Sequence, residues 1–227
     1  MKRIVVLSGA GMSAESGIST FRDSNGLWEN HSIEEVASPQ AWKRNPSMVL
    51  EFYNQRRKQL FAVEPNAGHK ALARLENQYE VQIITQNVDD LHERAGSTQV
   101  IHLHGELKKA RSTIDPARVY TLNHWELKLG DLCEKGSQLR PHIVWFGEAV
   151  PMMEEAIKIV AKADIFMVVG TSMIVYPAAG LIHYVSHNIP KYYIDPKAFP
   201  VPGVENLQIV QQKAGEALPA LMTQLFY

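Results

Sequence analysis

A chain of 227 residues can form one large domain, or a core that carries a smaller inserted module. Its 45% hydrophobic and 21% charged content is ordinary for a globular protein. A formal net charge of −1 excludes a basic field for nucleic acid, so a basic protein substrate must be held by local contacts.

The one cysteine, Cys133, rules out an intramolecular disulfide and fits a reduced compartment. Residues 1–7 open with the charge of a signal peptide, but the apolar run that follows is four residues long and glycine cuts it short. No stretch approaches the roughly 18 apolar residues of a membrane span. The expectation is a soluble cytoplasmic protein that binds neither nucleic acid nor membrane. A monomer is expected, although the oligomeric state is not written in the sequence.

The run at residues 4–7 is continuously apolar and closed by glycine, as in a parallel strand buried on both faces. Similar runs follow at 81–85, 99–103, 165–169, 191–194 and 207–210. Helical patterns lie between them at 67–76, 154–163, 178–186 and 214–225. Strands alternating with helices predict an α/β fold: a Rossmann-like parallel sheet with helices on both faces. Two segments break the alternation. The stretch from Gly26 to Pro65 reads as mostly helical, and that from Lys108 to Arg140 as polar and irregular. We therefore expect a sheet domain from 1–25, 66–107 and 141–227, and a smaller lobe from insertions 26–65 and 108–140. A cleft between lobes is a usual ligand site.

Directly after the first strand come Gly9-Ala10-Gly11-Met12-Ser13-Ala14, a G-x-G-x-x-A turn leading into a helical pattern. Glycines allow a tight turn and a close approach of backbone to a pyrophosphate. A dehydrogenase also needs an acidic residue at the end of its second strand to hold ribose. Asp23 has a suitable spacing but precedes any second strand. That strand leads instead into Gln86-Asn87-Val88-Asp89-Asp90, at the carboxyl end where α/β sheets bind ligands. Turn formation and helix capping explain one of Asn87 and Asp89 comfortably, the whole cluster less well.

Among nine histidines, His69, His183 and His187 fall in helical patterns and read as surface or interface residues. His102 and His104 alternate about Leu103 at a strand end and so share one face. Imidazole titrates near working pH and suits a general base. Taken one at a time, either could be a satisfied core histidine, and that reading suits His102 better.

These strings resemble the sirtuin family: residues 9–18, Phe21-Arg22, Gly26-Leu27-Trp28, 85–89, His102-Leu103-His104-Gly105, 141–148 and Gly170-Thr171-Ser172, in family order. The resemblance implies an NAD-dependent protein lysine deacylase, acting on acylated lysine side chains. In the family scheme the acyl oxygen attacks the nicotinamide ribose and nicotinamide leaves. The histidine matching His104 then deprotonates a ribose hydroxyl, and lysine is released with 2′-O-acyl-ADP-ribose. By the same resemblance the loop from Gly9, Ala10, Gly11 to Ser13 binds NAD. Asn87 and Asp89 position the ribose and the nicotinamide amide, and Gln86 contacts the ribose. Phe21 shields the reacting face and Arg22 meets the diphosphate. Gly170, Thr171, Ser172 and Asp195 hold the far half of NAD. Val144 and Phe146-Gly147-Glu148 pair with substrate backbone as an added strand, with Tyr176 nearby. An ADP-ribosyltransferase or a non-catalytic NAD-binding module on the same scaffold is the alternative.

Around residues 48–60, Val49, Phe52, Tyr53 and Leu60 form an apolar stripe at helical spacing, and Arg56 falls within it. A cation there is costly unless an anion meets it, whether a structural carboxylate such as Glu51 or the ligand. Tyr53 and Arg56 also match the Tyr-x-x-Arg signature of sirtuins that remove succinyl and malonyl groups, which implies desuccinylation beside deacetylation. The chain departs from the family in the 111–140 segment, where two cysteine pairs usually hold zinc. Cys133 and His124 supply two ligands at most, so we expect no structural zinc. Val119, Tyr120, Leu122, Trp125, Leu127, Leu129 and Leu132 would then supply the core of that module. Ser19-Thr20 also replaces the Pro-Asp of many relatives, a change expected to alter loop stiffness.

Overall fold

The computed structural model describes residues 1–19 and 31–226, with side chains to residue 223. Phe21, Arg22, Asp23, Gly26-Leu27-Trp28 and Thr20 lie outside the described residues. Six parallel strands form the main sheet: β1 (Arg3–Ser8), β2 (Glu80–Thr85), β3 (Val100–His102), β7 (Ile165–Val169), β8 (Lys191–Ile194) and β9 (Leu207–Val210). Their order is β3-β2-β1-β7-β8-β9. The chain winds outward from β1 to β3, then returns to β7 on the other side of β1. The β1–β7 boundary is therefore the switch point where a sheet of this kind opens a crevice.

The strands bury both faces because alternate residues point to opposite sides. Ile4 and Val6 pack with Leu72 and Leu75 of α5 (Ala67–Leu75) and with Leu218 and Leu221 of α8 (Ala214–Phe226). Val5 and Leu7 pack with Ile159 and Val160 of α7 (Met153–Val160) and with Leu181 and Ile182. Those last two sit in a 3₁₀ helix, Ala178–Tyr184, where the sequence pattern predicts an α-helix. The other strands and helices match their predicted spans to within three residues at either end, α7 differing most by stopping at Val160. Of the two readings for His69, surface or interface, burial excludes the surface: it is fully buried and packs against His92.

The 26–65 stretch is helical where described, with α2 (Ile33–Val36), α3 (Pro39–Arg44) and α4 (Pro46–Ala62). Asn45 caps α4 by accepting from Met48 N–H, and Pro46 occupies the first turn where no donor is needed. The 108–140 stretch is irregular over 113–118 and most of 122–138, but not throughout. The rest belongs to an antiparallel sheet, β5-β4-β6, of Val119–Thr121, Gly105–Ser112 and Leu139–Ile143. The charges along β4 and the brevity of β5 hide this order from periodicity.

The core of that module also differs from expectation. Leu122 and Leu127 are buried with Leu50, Ala110, Cys133 and Leu139, while Val119, Trp125, Leu129 and Leu132 are exposed. Polar side chains of α4 complete the join. Asn54 exchanges hydrogen bonds with both backbone groups of Leu127, and the fully buried Arg57 donates to Leu107 O, Trp125 O and Asn54 Oδ1. Burial pulls the Arg57 guanidinium down to about 10, so it stays charged at neutral pH. Arg57→Leu strips a charge-assisted donor from three acceptors, and we expect a loss of about 3 kcal/mol in urea unfolding. A loss under about 1 kcal/mol would show that the module docks by its apolar face alone.

Candidate active site

The crevice at the β1–β7 boundary gathers most of the predicted site residues. Gly9 N–H donates to Val169 O and Gly11 N–H to Gly170 O, so the turn after β1 lies directly on the end of β7. The fit tolerates no side chain: a Cβ on Gly9 would lie 2.6 Å from Thr171 Cβ, and one on Gly11 2.9 Å from Gly170 Cα. Ala10 is exposed at the start of α1 (Ala10–Ala14).

Ser13 ties this turn to the cluster after β2. Its hydroxyl accepts from Asn87 Nδ2 at 3.0 Å and donates to Asp89 Oδ2 at 2.8 Å. Asn87 Nδ2 also donates to Gly9 O at 3.0 Å. Both amide hydrogens of Asn87 are thus committed, and its Oδ1 is the atom left for a ligand. Asp89 Oδ1 accepts from Leu91 N–H at the start of α6 (Leu91–Ala95), two residues on, so the turn-forming role is real for Asp89. Burial pushes the Asp89 carboxyl up, opposed by Ser13.

Gln86 reaches across the switch point, its Nε2 3.2 Å from Thr171 Oγ1. Thr171 and Ser172 are nearly buried after β7, and Asp195 follows β8 with its carboxylate accepting from Lys197 N–H. His104 Nδ1 lies 3.0 Å from Gln86 O. A carbonyl only accepts, so Nδ1 carries the proton and Nε2 presents its lone pair. Burial also holds the His104 imidazole below its ordinary range, so it is neutral at neutral pH. His102 is held at both nitrogens, by Asn87 O at 3.1 Å and Glu93 at 2.7 Å, as a satisfied histidine should be. Burial would lower it, but Glu93 leaves it raised.

Tyr53 and Arg56 lie on α4, and the 144–148 stretch meets that helix through Trp145. Val144 N–H donates to the His104 carbonyl, which sets the 144–148 stretch beside His104. That stretch is a turn and not a strand. The N–H groups of Val144, Trp145, Phe146 and Glu148 all bond within the protein, while Gly147 N–H makes no hydrogen bond among the described residues. The Glu148 carboxylate is structural: it takes Arg140 at 2.8 Å, Arg111 at 3.2 Å and Trp145 N–H at 2.8 Å. Arg140 stacks on Trp145, its Cζ 3.3 Å from the ring centroid, and Trp145 Nε1 donates to the buried Tyr53 hydroxyl. Arg56 is 7% exposed, with its guanidinium 5.7 Å from the Phe52 ring. Phe146 and Tyr176 are exposed. Among the described residues no group of three His, Cys, Asp or Glu side chains could hold a metal ion. Cys133 Sγ instead meets Ser112 Oγ at 3.5 Å.

Sequence reasoning missed Ser8, Thr85, His92, Arg140 and the role of Trp145. Ser8 and Thr85 are hydroxyls that close the strands β1 and β2. His92, Arg140 and Trp145 carry no local signal, because their partners lie 84, 8 and 92 positions away.

A glycine turn at the switch point of a parallel sheet, facing a carboxamide, a carboxylate and a neutral imidazole, defines a nucleotide-using α/β enzyme. The Sir2 family model matches residues 9–177, and the chain belongs to the Sir2 family. It is 58% identical over 227 residues to an NAD-dependent protein deacylase of Helicobacter pylori, covering 99% of this chain and 98% of that one. A protein of the same description from Bacteroides thetaiotaomicron is 52% identical over 226 residues, covering 97% of each. Among solved structures, a Sir2 homologue in complex with NAD superposes with a TM-score of 0.89 at 41% identity, over 99% of this chain and 90% of that one. A Sir2 bound to a deacetylated p53 peptide and 3′-O-acetyl ADP-ribose gives 0.83 at 30% identity, over 97% and 92%.

Proposed function

We propose that this NAD-dependent protein deacylase removes acidic acyl groups as well as acetyl from lysine, with His104 as its general base. The observation that carries the base assignment is the His104 tautomer: Nδ1–H is spent on Gln86 O, so a neutral Nε2 lone pair is left at the end of the parallel sheet. The donor set fits NAD. The glycine turn admits a diphosphate, Asp195 offers acceptors for ribose hydroxyls, and Asn87 Oδ1 is left for the ligand while Asp89 holds Ser13 in place. Bound there, NAD supplies an activated ribose that receives the acyl group as nicotinamide departs. His104 Nε2 takes a proton from a ribose hydroxyl, and the buried surroundings exclude water from the reacting face. Acylated lysine is held along Val144 and Gly147, with Phe146 and Tyr176 as exposed apolar contacts. A cytoplasmic setting belongs to the same reading, supported by the single reduced cysteine. Among the described residues no helix is long and apolar enough to cross a membrane.

The acidic-acyl reading is supported by the buried face of α4. Arg56 stands there among Phe52, Tyr53 and Leu60. Tyr53 already accepts from Trp145, so its own proton is available to donate, and burial pushes that phenol well above its ordinary range. A carboxylate-tipped acyl chain would meet a guanidinium and a phenolic donor. The test compares succinyl-lysine and acetyl-lysine peptides with NAD, in wild type and Arg56→Met. The variant is expected to lose about 100-fold in kcat/KM on the succinyl peptide and to stay within about threefold on acetyl. Equal losses on both peptides, or no wild-type turnover of the succinyl peptide, would sink the acidic-acyl reading. Consumption of NAD with both peptides left acylated would favour transfer of ADP-ribose instead.

A further inference from the structure

Beneath the catalytic loop runs a second polar assembly that the chemistry above does not use. His92, on α6, is buried and places Nε2 2.9 Å from Ser8 Oγ. Ser8 Oγ, at the end of β1, donates to Thr85 Oγ1 at 2.9 Å. Thr85 Oγ1, at the end of β2, accepts the backbone N–H of Asn87 at 3.0 Å. Ser8 and Thr85 are fully buried, so no solvent competes with this line of contacts. Its direction follows from the donors. Ser8 gives its one proton to Thr85, so it must accept from His92, and Nε2 of His92 is the protonated nitrogen.

The far end of this line is a single peptide unit. Asn87 N–H and Gln86 C=O belong to the same amide, which is trans and planar. One edge of that plane is tied to Thr85. The opposite edge receives Nδ1–H of His104. The orientation of the plane therefore fixes both the tautomer and the tilt of the His104 ring.

A packing role alone does not account for an imidazole here. His92 Nδ1 is buried and has no hydrogen-bond partner among the described residues, a cost that a leucine of similar bulk would avoid. What the imidazole adds over leucine is the donor to Ser8. Its ring packs edge-on against His69, with centroids 4.8 Å apart, and burial keeps it well below the ordinary histidine range.

We propose that His92 is a positioning residue for the base His104, acting through Ser8, Thr85 and the Gln86–Asn87 peptide plane. The proposal rests on His104 being the base. Three readouts separate the two claims: kcat and KM for NAD in deacetylation, and exchange of labelled nicotinamide into NAD in the presence of acetylated peptide. Exchange needs nicotinamide to leave and return but needs no base at the ribose. His92→Leu is expected to lower kcat for deacetylation about tenfold, with KM for NAD and the exchange rate each within about twofold of wild type. His92→Gln, whose side-chain amide can donate to Ser8, is expected to recover kcat to within about threefold of wild type. Ser8→Ala with His92→Leu should be no slower than the worse single variant, since both break one line. Equal loss of exchange and deacetylation in His92→Leu, or no rescue by glutamine, overturns the positioning role. Full deacetylation by His104→Ala overturns the base assignment beneath it, whatever the His92 variants do.

Discussion

His104→Ala is expected to lower kcat for deacylation by about 10²–10⁴-fold while leaving NAD affinity within about threefold. The side chain touches the protein through one hydrogen bond, from Nδ1 to Gln86 O, and its other nitrogen is unspent. Removing it takes away a proton acceptor and little else, because the glycine turn, Ser13 and Thr171 make their contacts elsewhere. The same geometry fixes the pH dependence. The working form of the base is the neutral one, so activity falls as pH drops through its folded pKa. Burial holds that pKa below the ordinary 6.5, opposed by the bond to Gln86 O. The acidic limb of kcat/KM is therefore expected below pH 6.5, with full activity retained at neutral pH. A limb above 6.5 would mean that the free enzyme holds an anion against His104, contrary to the contacts described. His104→Ala turning over at wild-type rate, measured by mass spectrometry of the peptide, would move the base elsewhere in the cleft.

Much of this site is legible in the sequence because its parts are local. The turn from Gly9 to Ser13 follows an apolar run at once, and Asn87 and Asp89 follow another, so strand ends and ligand ends coincide. His104 is separable from His102 by one clue, that only one of two neighbouring histidines need be free. The α4 stripe is legible for the same reason, since 3.6-residue spacing is visible without tertiary knowledge. What is not legible is everything set by long-range pairing. His69 reads as a surface or interface residue from its helix, and only the fold shows it fully buried with its ring against His92. The strands of the small sheet pair across the 112–139 gap, and the charges along the eight-residue β4 mask it. Glu148 reads as part of a substrate strand because its neighbours do. Its carboxylate is claimed by Arg111 and Arg140, which no spacing rule would place beside it. The Trp145–Tyr53 contact likewise links a loop to a helix 92 positions earlier, and through it the acyl side of the cleft depends on the small sheet.

Gly170→Ala is expected to destabilise the protein by about 2–4 kcal/mol and to weaken NAD binding at least tenfold. Two separable effects act at this position. Gly170 has φ of +61°, where an L side chain crowds its own carbonyl at a cost of about 1–2 kcal/mol. Its Cβ would also lie 2.2 Å from Met12 N and 2.6 Å from Gly11 C, which are backbone atoms of the phosphate turn and cannot swing aside as a side chain would. Relief requires the end of β7 to part from the turn after β1, which breaks the Gly11 N–H to Gly170 O bond and opens the crevice where the diphosphate is to lie. Gly136→Ala isolates the first effect, because Gly136 has φ of +71° and a Cβ there would meet nothing within 4 Å. That variant is expected to lose about 1 kcal/mol and to bind NAD as wild type does. Urea unfolding and NAD titration of the two variants side by side then divide strain from collision. If Gly170→Ala loses no more stability than Gly136→Ala and keeps its NAD affinity, the two strand ends are not in contact. The switch-point crevice would then be wider than the glycine pair requires, and the phosphate turn would owe its shape to its own glycines alone.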